Sequence, residues 1–112
     1  MNKYFNKKVV IDGIKFDSKK EANYYTKLKL MKQAGLIWDL ELQKKYILQK
    51  GFEFNGKKIR EISYIADFVY EDKNGIHVVD TKGFKTDVYK LKKKMFIKKY
   101  EIDIEEIWKN YG

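Results

Sequence analysis

The sequence predicts an α+β (α/β) fold in one domain spanning residues 1–112, with a central mixed β-sheet flanked by helices. Three observations carry this. Asp12-Gly13 and Asn55-Gly56 each sit between short apolar runs, as hairpin turns do. Two segments show helical periodicity, one following Asp17-Ser18 and one following Asp87. Between and after them lie runs rich in Val, Ile, Tyr and Phe, giving the order helix, several strands, helix, strand.

Taken in order, Val9–Ile11 and Ile14–Phe16 form a hairpin across Asp12-Gly13. A helix then runs from Asp17-Ser18 to about Ala34, where Gly35 stops it. Tyr24, Tyr25, Leu28 and Met31 recur along it at three- and four-residue spacing, an inward stripe. Ile37 to Leu40 and Tyr46 to Leu48 read as two extended segments. Phe52–Phe54 and Lys57–Ile62 pair across Asn55-Gly56. Tyr64–Tyr70 is a strand, Glu71–Gly75 turns the chain, and Ile76–Lys82 returns antiparallel. A second helix covers Asp87–Tyr100 with Val88, Leu91 and Met95 on its inner face. Ile102–Trp108 reads as a last strand, and both Trp38 and Trp108 as core.

Composition narrows the function. Twenty-five Lys and Arg against 16 Asp and Glu give a net charge of +9, which points to an anionic partner, nucleic acid ahead of a membrane surface. The competing reading is a lysine-rich composition serving solubility. Cysteine is absent and His77 is the single histidine, so disulfides, thiolate metal sites and histidine-based zinc sites are excluded within one chain, and any metal must be held by oxygen. No secretory leader or bilayer-spanning run is evident, which makes a cytoplasmic protein the expectation.

Three acids stand where acids are costly. Asp67 interrupts an apolar strand, flanked by Ile65, Ala66, Phe68 and Val69. Asp80 and Lys82, two apart on the next strand, share a face. Cross-strand neighbours lie ~5 Å apart, so Asp67 can approach Asp80. Two carboxylates that close repel unless a cation joins them, and Mg²⁺ commonly takes one or two carboxylates while keeping sites for water and phosphate. An edge-strand ion pair is the competing reading for Asp80 and Lys82. Glu21 falls on the buried stripe of the first helix, positioned to reach such a site. Ser18-Lys19-Lys20-Glu21 also fits a capping box, which needs no metal.

These residues resemble the PD-(D/E)XK nuclease superfamily: a helix acid, then Tyr-Ile-Ala-Asp (64–67), then Asp-Thr-Lys (80–82). With Phe-Asp-Ser-Lys-Lys-Glu (16–21) and Leu-Glu-Leu-Gln (40–43), the segment 16–100 is similar to small phage and prophage proteins assigned to that superfamily. The resemblance implies a restriction-endonuclease-like αβββαβ core. It implies cleavage of phosphodiester bonds dependent on Mg²⁺ or Mn²⁺. Glu21, Asp67 and Asp80 would be the metal ligands, and Lys82 the catalytic lysine. Ala66 stands where the family motif often has proline. Relatives of this size include phage junction-resolving enzymes, which brings in branched DNA in a bacterial host as substrate. Symmetric cutting would require two active sites, hence a homodimer.

Gln43 matches a position where such nucleases often carry a polar residue near the metal. Lys85, in the loop after Lys82, and Lys90, Lys92 and Lys93 on the second helix are candidates for nucleic-acid contact, Lys92 because it lies four residues from Val88. His77 faces away from Asp80 by strand alternation and is assigned no catalytic part. The leading expectation is therefore a metal-dependent deoxyribonuclease. The alternative is a basic nucleic-acid-binding module that keeps the fold without the chemistry. An RNA-binding protein is disfavoured, since no aromatic stacking motif is evident.

Overall fold

The computed structural model describes residues 8–81 and 86–107. Among these, β1 (Val9–Ile11), β2 (Ile14–Phe16), α1 (Lys19–Gln33), β3 (Trp38–Gln49), β4 (Phe52–Phe54), β5 (Lys57–Ile59), β6 (Ile62–Asp72), β7 (Gly75–Asp80), α2 (Asp87–Tyr100) and β8 (Ile104–Glu106) follow in order. The central sheet has strand order β3-β6-β7-β8, antiparallel except for the β7–β8 pair, and β1-β2 and β4-β5 are separate hairpins. With the hairpins set aside, the elements run α-β-β-β-α-β. No helix among the described residues is long and apolar enough to cross a membrane.

Local chemistry explains the boundaries. Asp12 (φ 54°) with Gly13 (φ 76°) and Asn55 (φ 50°) with Gly56 (φ 75°) take the two successive positive-φ positions of a type I′ turn. Ser18 caps α1 by accepting from the Glu21 amide at 3.1 Å. Its other end closes with Gly35 N–H donating to Lys32 O and Leu36 N–H to Met31 O, the paired bonds of a Schellman motif, with Gly35 in the left-handed region. Thr86 caps α2 in the same way, its hydroxyl accepting from Tyr89 N.

The helices cover opposite faces of the sheet. Val79 packs with Phe16, Tyr24, Leu28, Phe68 and Tyr70 on the α1 side, whereas Val78 packs with Tyr64, Ala66, Val69 and Phe96 on the α2 side. Four sequence expectations are corrected here. The two segments at 37–40 and 46–48 belong to one strand, because residues 41–45 stay in the ladder with their charges in solvent. The inner face of α2 is Tyr89, Met95, Phe96 and Tyr100, while Val88 and Leu91 are 61% and 60% exposed. The aromatic ridge wins because its rings reach Tyr46 and Tyr64 across the sheet. Trp38 is 45% exposed at the end of β3, not core. The last strand is limited to Ile104–Glu106, and Trp108 lies outside the described residues.

His77 stacks on Tyr70 with ring centroids 4.8 Å apart, placing Nδ1 2.5 Å from Glu105 Oε2 and Nε2 2.9 Å from Asp72 Oδ1. Burial pulls its pKa down, but the bonds to Glu105 and Asp72 outweigh it and the imidazole titrates above its usual 6.5. The raised pKa means that the stabilisation is full below the unfolded-state value and is lost as pH rises through the folded one. Melting temperature is therefore expected to fall with rising pH above about 6.5, and His77→Ala to flatten that slope. An unchanged slope in the variant, or a ring resonance titrating below 6.5, would contradict this.

Candidate active site

A break in strand parity builds the site. Residues of equal parity on an uninterrupted strand share a face, yet Leu42 packs on the α1 side and Tyr46 on the α2 side. Opposite them, Phe68 belongs to the α1 side and Ala66 to the α2 side. The switch falls where Gln43 faces Asp67, between the Leu42–Phe68 and Lys44–Ala66 pairs. Gln43 adopts φ 53° there, a left-handed conformation that costs a non-glycine residue about 1–2 kcal/mol. The switch puts the successive residues Asp67 and Phe68 on one face, so Asp67 departs from the row of Val69, with which simple alternation groups it.

Asp67 is fully buried and Glu21 is 7% exposed. The Gln43 amide joins them, Nε2 lying 3.1 Å from Glu21 Oε2 and 3.3 Å from Asp67 Oδ1. Gln43 is itself exposed, so this pair of carboxylates lies just under the surface. The other Asp67 oxygen accepts from both Thr81 N (2.8 Å) and Thr81 Oγ1 (2.9 Å). Glu21 also accepts from Asp17 N at 3.3 Å while its own amide donates to Ser18, so helix capping and a place beside Asp67 are both true of it.

Asp80 continues the other row. It is 4% exposed and accepts from the Tyr64 hydroxyl at 2.8 Å. Burial first, then the Asp80 charge, push the Tyr64 pKa far up, so the phenol remains a donor. Asp80 and Tyr64 line a cleft of about 370 Å³ with Thr86, Val88, Tyr89 and Lys92. The strand end thus carries an Asp80–Tyr64 bond from the last residue of β7 and an Asp67–Thr81 bond from the residue that follows it.

Of the sequence candidates, Glu21, Gln43 and Asp67 form one network, while Asp80 and Lys92 share the cleft beside it. Lys90 is exposed on α2. Lys93 instead bonds Glu106 at 3.1 Å, alongside the Tyr89 hydroxyl at 2.7 Å. Lys82 and Lys85 lie outside the described residues. Thr81 and Tyr64 escaped the sequence reading. Alternation places Thr81 on the face opposite Asp80, but its bonds to Asp67 depend on the switch of faces at Gln43, which no local pattern announces. Tyr64 carried no signal beyond strand propensity.

The donor set fits a hard cation in kind: carboxylate oxygens, with a threonine and an amide in support. Among the described residues, no three acidic or histidine side chains are grouped so as to hold a metal by themselves. That composition suits an ion such as Mg²⁺, which keeps waters and shares one or two carboxylates with a substrate phosphate.

No curated protein and no solved structure matches the chain. The model of a family described as a protein of unknown function, DUF1064, matches residues 1–110. The chain therefore belongs to the DUF1064 family.

Proposed function

We propose that the protein is a divalent-metal-dependent nuclease of the restriction-endonuclease-like type that hydrolyses phosphodiester bonds in DNA. The observation that carries this is the Glu21–Gln43–Asp67 network, two buried carboxylates gathered under an exposed amide by a strained strand residue. Such strain persists where surrounding structure over-determines it, which is characteristic of functional sites. The net charge of +9 supports a nucleic-acid substrate.

Glu21 and Asp67 would hold Mg²⁺ or Mn²⁺, which would supply a polarised phosphate oxygen and an activated water. Asp80, on the other row, would meet the ion only through its water or phosphate shell. The chain does the rest. Thr81 fixes the Asp67 carboxylate through two bonds to one oxygen, leaving the other directed to Gln43. Tyr64 orients Asp80. Lys82, two residues beyond Asp80, offsets the charge that grows on the phosphate as water attacks phosphorus and the opposite P–O bond breaks. Lys92, beside Asp80 in the cleft, holds the phosphodiester backbone.

The test is cleavage of labelled linear duplex, single-stranded DNA and a four-way junction in Mg²⁺, Mn²⁺ or EDTA. Wild type is expected to cut in metal only, and Asp80→Ala to lose the activity. Binding without cutting in either metal, unchanged in Asp80→Ala, would instead identify a non-catalytic DNA-binding module. Junction preference together with a dimeric mass would identify branched DNA as the substrate.

A further inference from the structure

The β4–β5 hairpin is the least accounted-for part of the molecule. Residues 49–61 are all exposed, and the hairpin forms its own two-stranded sheet beyond the ends of β3 and β6. Its register pairs Phe52 with Ile59, Glu53 with Lys58 and Phe54 with Lys57. Directly paired residues share a face, so Phe52, Phe54 and Ile59 gather on one side with Lys57. They are 49%, 64% and 40% exposed. A β-ribbon that leaves about half of two phenylalanine side chains in water forgoes much of the stabilisation that burying them would give. The turn that carries it is nonetheless well made, with both positive-φ positions filled by Asn55 and Gly56.

Charge identifies the occupant. Lys50, Lys57, Lys58 and Arg60 stand in this segment against the acids Glu53 and Glu61, and Glu61 is already paired with Lys45 of β3. A second copy of the same hairpin would bring like charges together. A face of three apolar residues is also far smaller than the roughly 800 Å² that each partner gives to a stable interface. A polyanion with flat apolar faces satisfies both features. Unstacked nucleotides have them: phosphates for the cations and base faces for the phenylalanines. In duplex DNA the base faces are closed off by stacking.

We infer that the β4–β5 hairpin is a nucleic-acid-binding arm that takes unpaired bases on Phe52 and Phe54 and a backbone phosphate on Lys57 of the same face. Lys58 on the opposite face and Arg60 hold the phosphates that flank the ribbon. The choice of ligand rests on the proposed function. The arm adds to it a preference for substrates with single-stranded character near the cut. Gln49 is six residues along β3 from Gln43, so the arm begins roughly 20 Å from the carboxylate pair. That places the preferred unpaired stretch several nucleotides from the scissile bond.

The test is anisotropy of fluorescein-labelled oligonucleotides in EDTA: one single strand, one duplex, and one duplex with a single-stranded gap. It compares wild type, Phe52→Ser with Phe54→Ser, and Lys57→Gln with Lys58→Gln. The serine pair is expected to weaken single-strand and gap binding at least about tenfold, with a change under about threefold on duplex. Its salt dependence should match wild type. The glutamine pair should lower the slope of log affinity against log salt by about 0.7 for each phosphate that is no longer neutralised. Equal losses on all three substrates, or none, would overturn the arm. So would a serine-pair protein whose mass in sedimentation differs from wild type, since the face would then join two copies. Cutting in metal with unaltered binding by the serine pair removes the arm and leaves the nuclease. Selective loss of binding in a protein that never cuts upholds the arm and removes the nuclease.

Discussion

Asp67→Asn is expected to reduce metal-dependent cleavage at least about a hundredfold while leaving the protein folded. Losing a ligand to a catalytic cation removes several kcal/mol of transition-state stabilisation, and each ~1.4 kcal/mol is tenfold in rate. The substitution keeps the volume of a fully buried side chain, so no cavity forms. One oxygen remains to accept from Thr81 N and Oγ1. The new amino group then meets the Gln43 amino group, donor against donor. Rotating the Gln43 amide answers that but turns its oxygen toward Glu21. The misfit costs on the order of 1 kcal/mol, set against relief of repulsion between two neighbouring acids. In EDTA the melting temperature should therefore move little. In Mn²⁺ wild type should gain stability by ligand linkage, and the variant should not. Retained cutting within a few-fold would remove Asp67 from the catalytic set. A large drop in melting temperature in EDTA, with the metal shift intact, would make the network structural.

Which parts of this site were legible in the sequence follows from the range of the forces involved. Local chemistry was plain: Asp12-Gly13 and Asn55-Gly56 as type I′ turns, Ser18 as a cap, Gly35 as a stop. The oddity of Asp67 was plain too, because an acid in an apolar strand costs free energy wherever the strand goes. Glu21 could be placed on the buried stripe by counting turns. The switch of faces at Gln43 could not, since a left-handed glutamine in mid-strand is a non-local compromise between two cores on opposite sides of one strand. Period-two reasoning consequently assigned Asp67 to the wrong row and cut β3 in two. On α2, hydropathy favoured Val88 and Leu91, whereas packing favoured the larger rings of Tyr89, Phe96 and Tyr100. Their spacing of seven and four residues was readable, but mean hydropathy undervalues tyrosine, whose ring packs while its hydroxyl finds a partner.

That aromatic ridge carries the second large prediction: Phe96→Ala is expected to cost about 3–5 kcal/mol, the range for deleting a buried phenylalanine. Phe96 is the one fully buried side chain that α2 contributes among the described residues. It meets Tyr46, Tyr100 and Tyr64 at centroid distances of 5.0, 5.1 and 5.7 Å. Against a domain stability of roughly 5–15 kcal/mol, such a loss consumes about a fifth or more, and the melting temperature should drop by more than about 10 °C. Leu91→Ala, on a helix position open to water, should stay within about 0.5 kcal/mol. Urea unfolding of the two variants decides between the two inner faces. Comparable costs, or a greater cost at Leu91, would restore the face that hydropathy alone selects. The ridge also reaches the site, because Tyr64 both packs on Phe96 and donates to Asp80. A cavity at Phe96 frees the tyrosine ring that fixes that carboxylate, so any cleavage activity should fall below the active fraction that the folded population predicts.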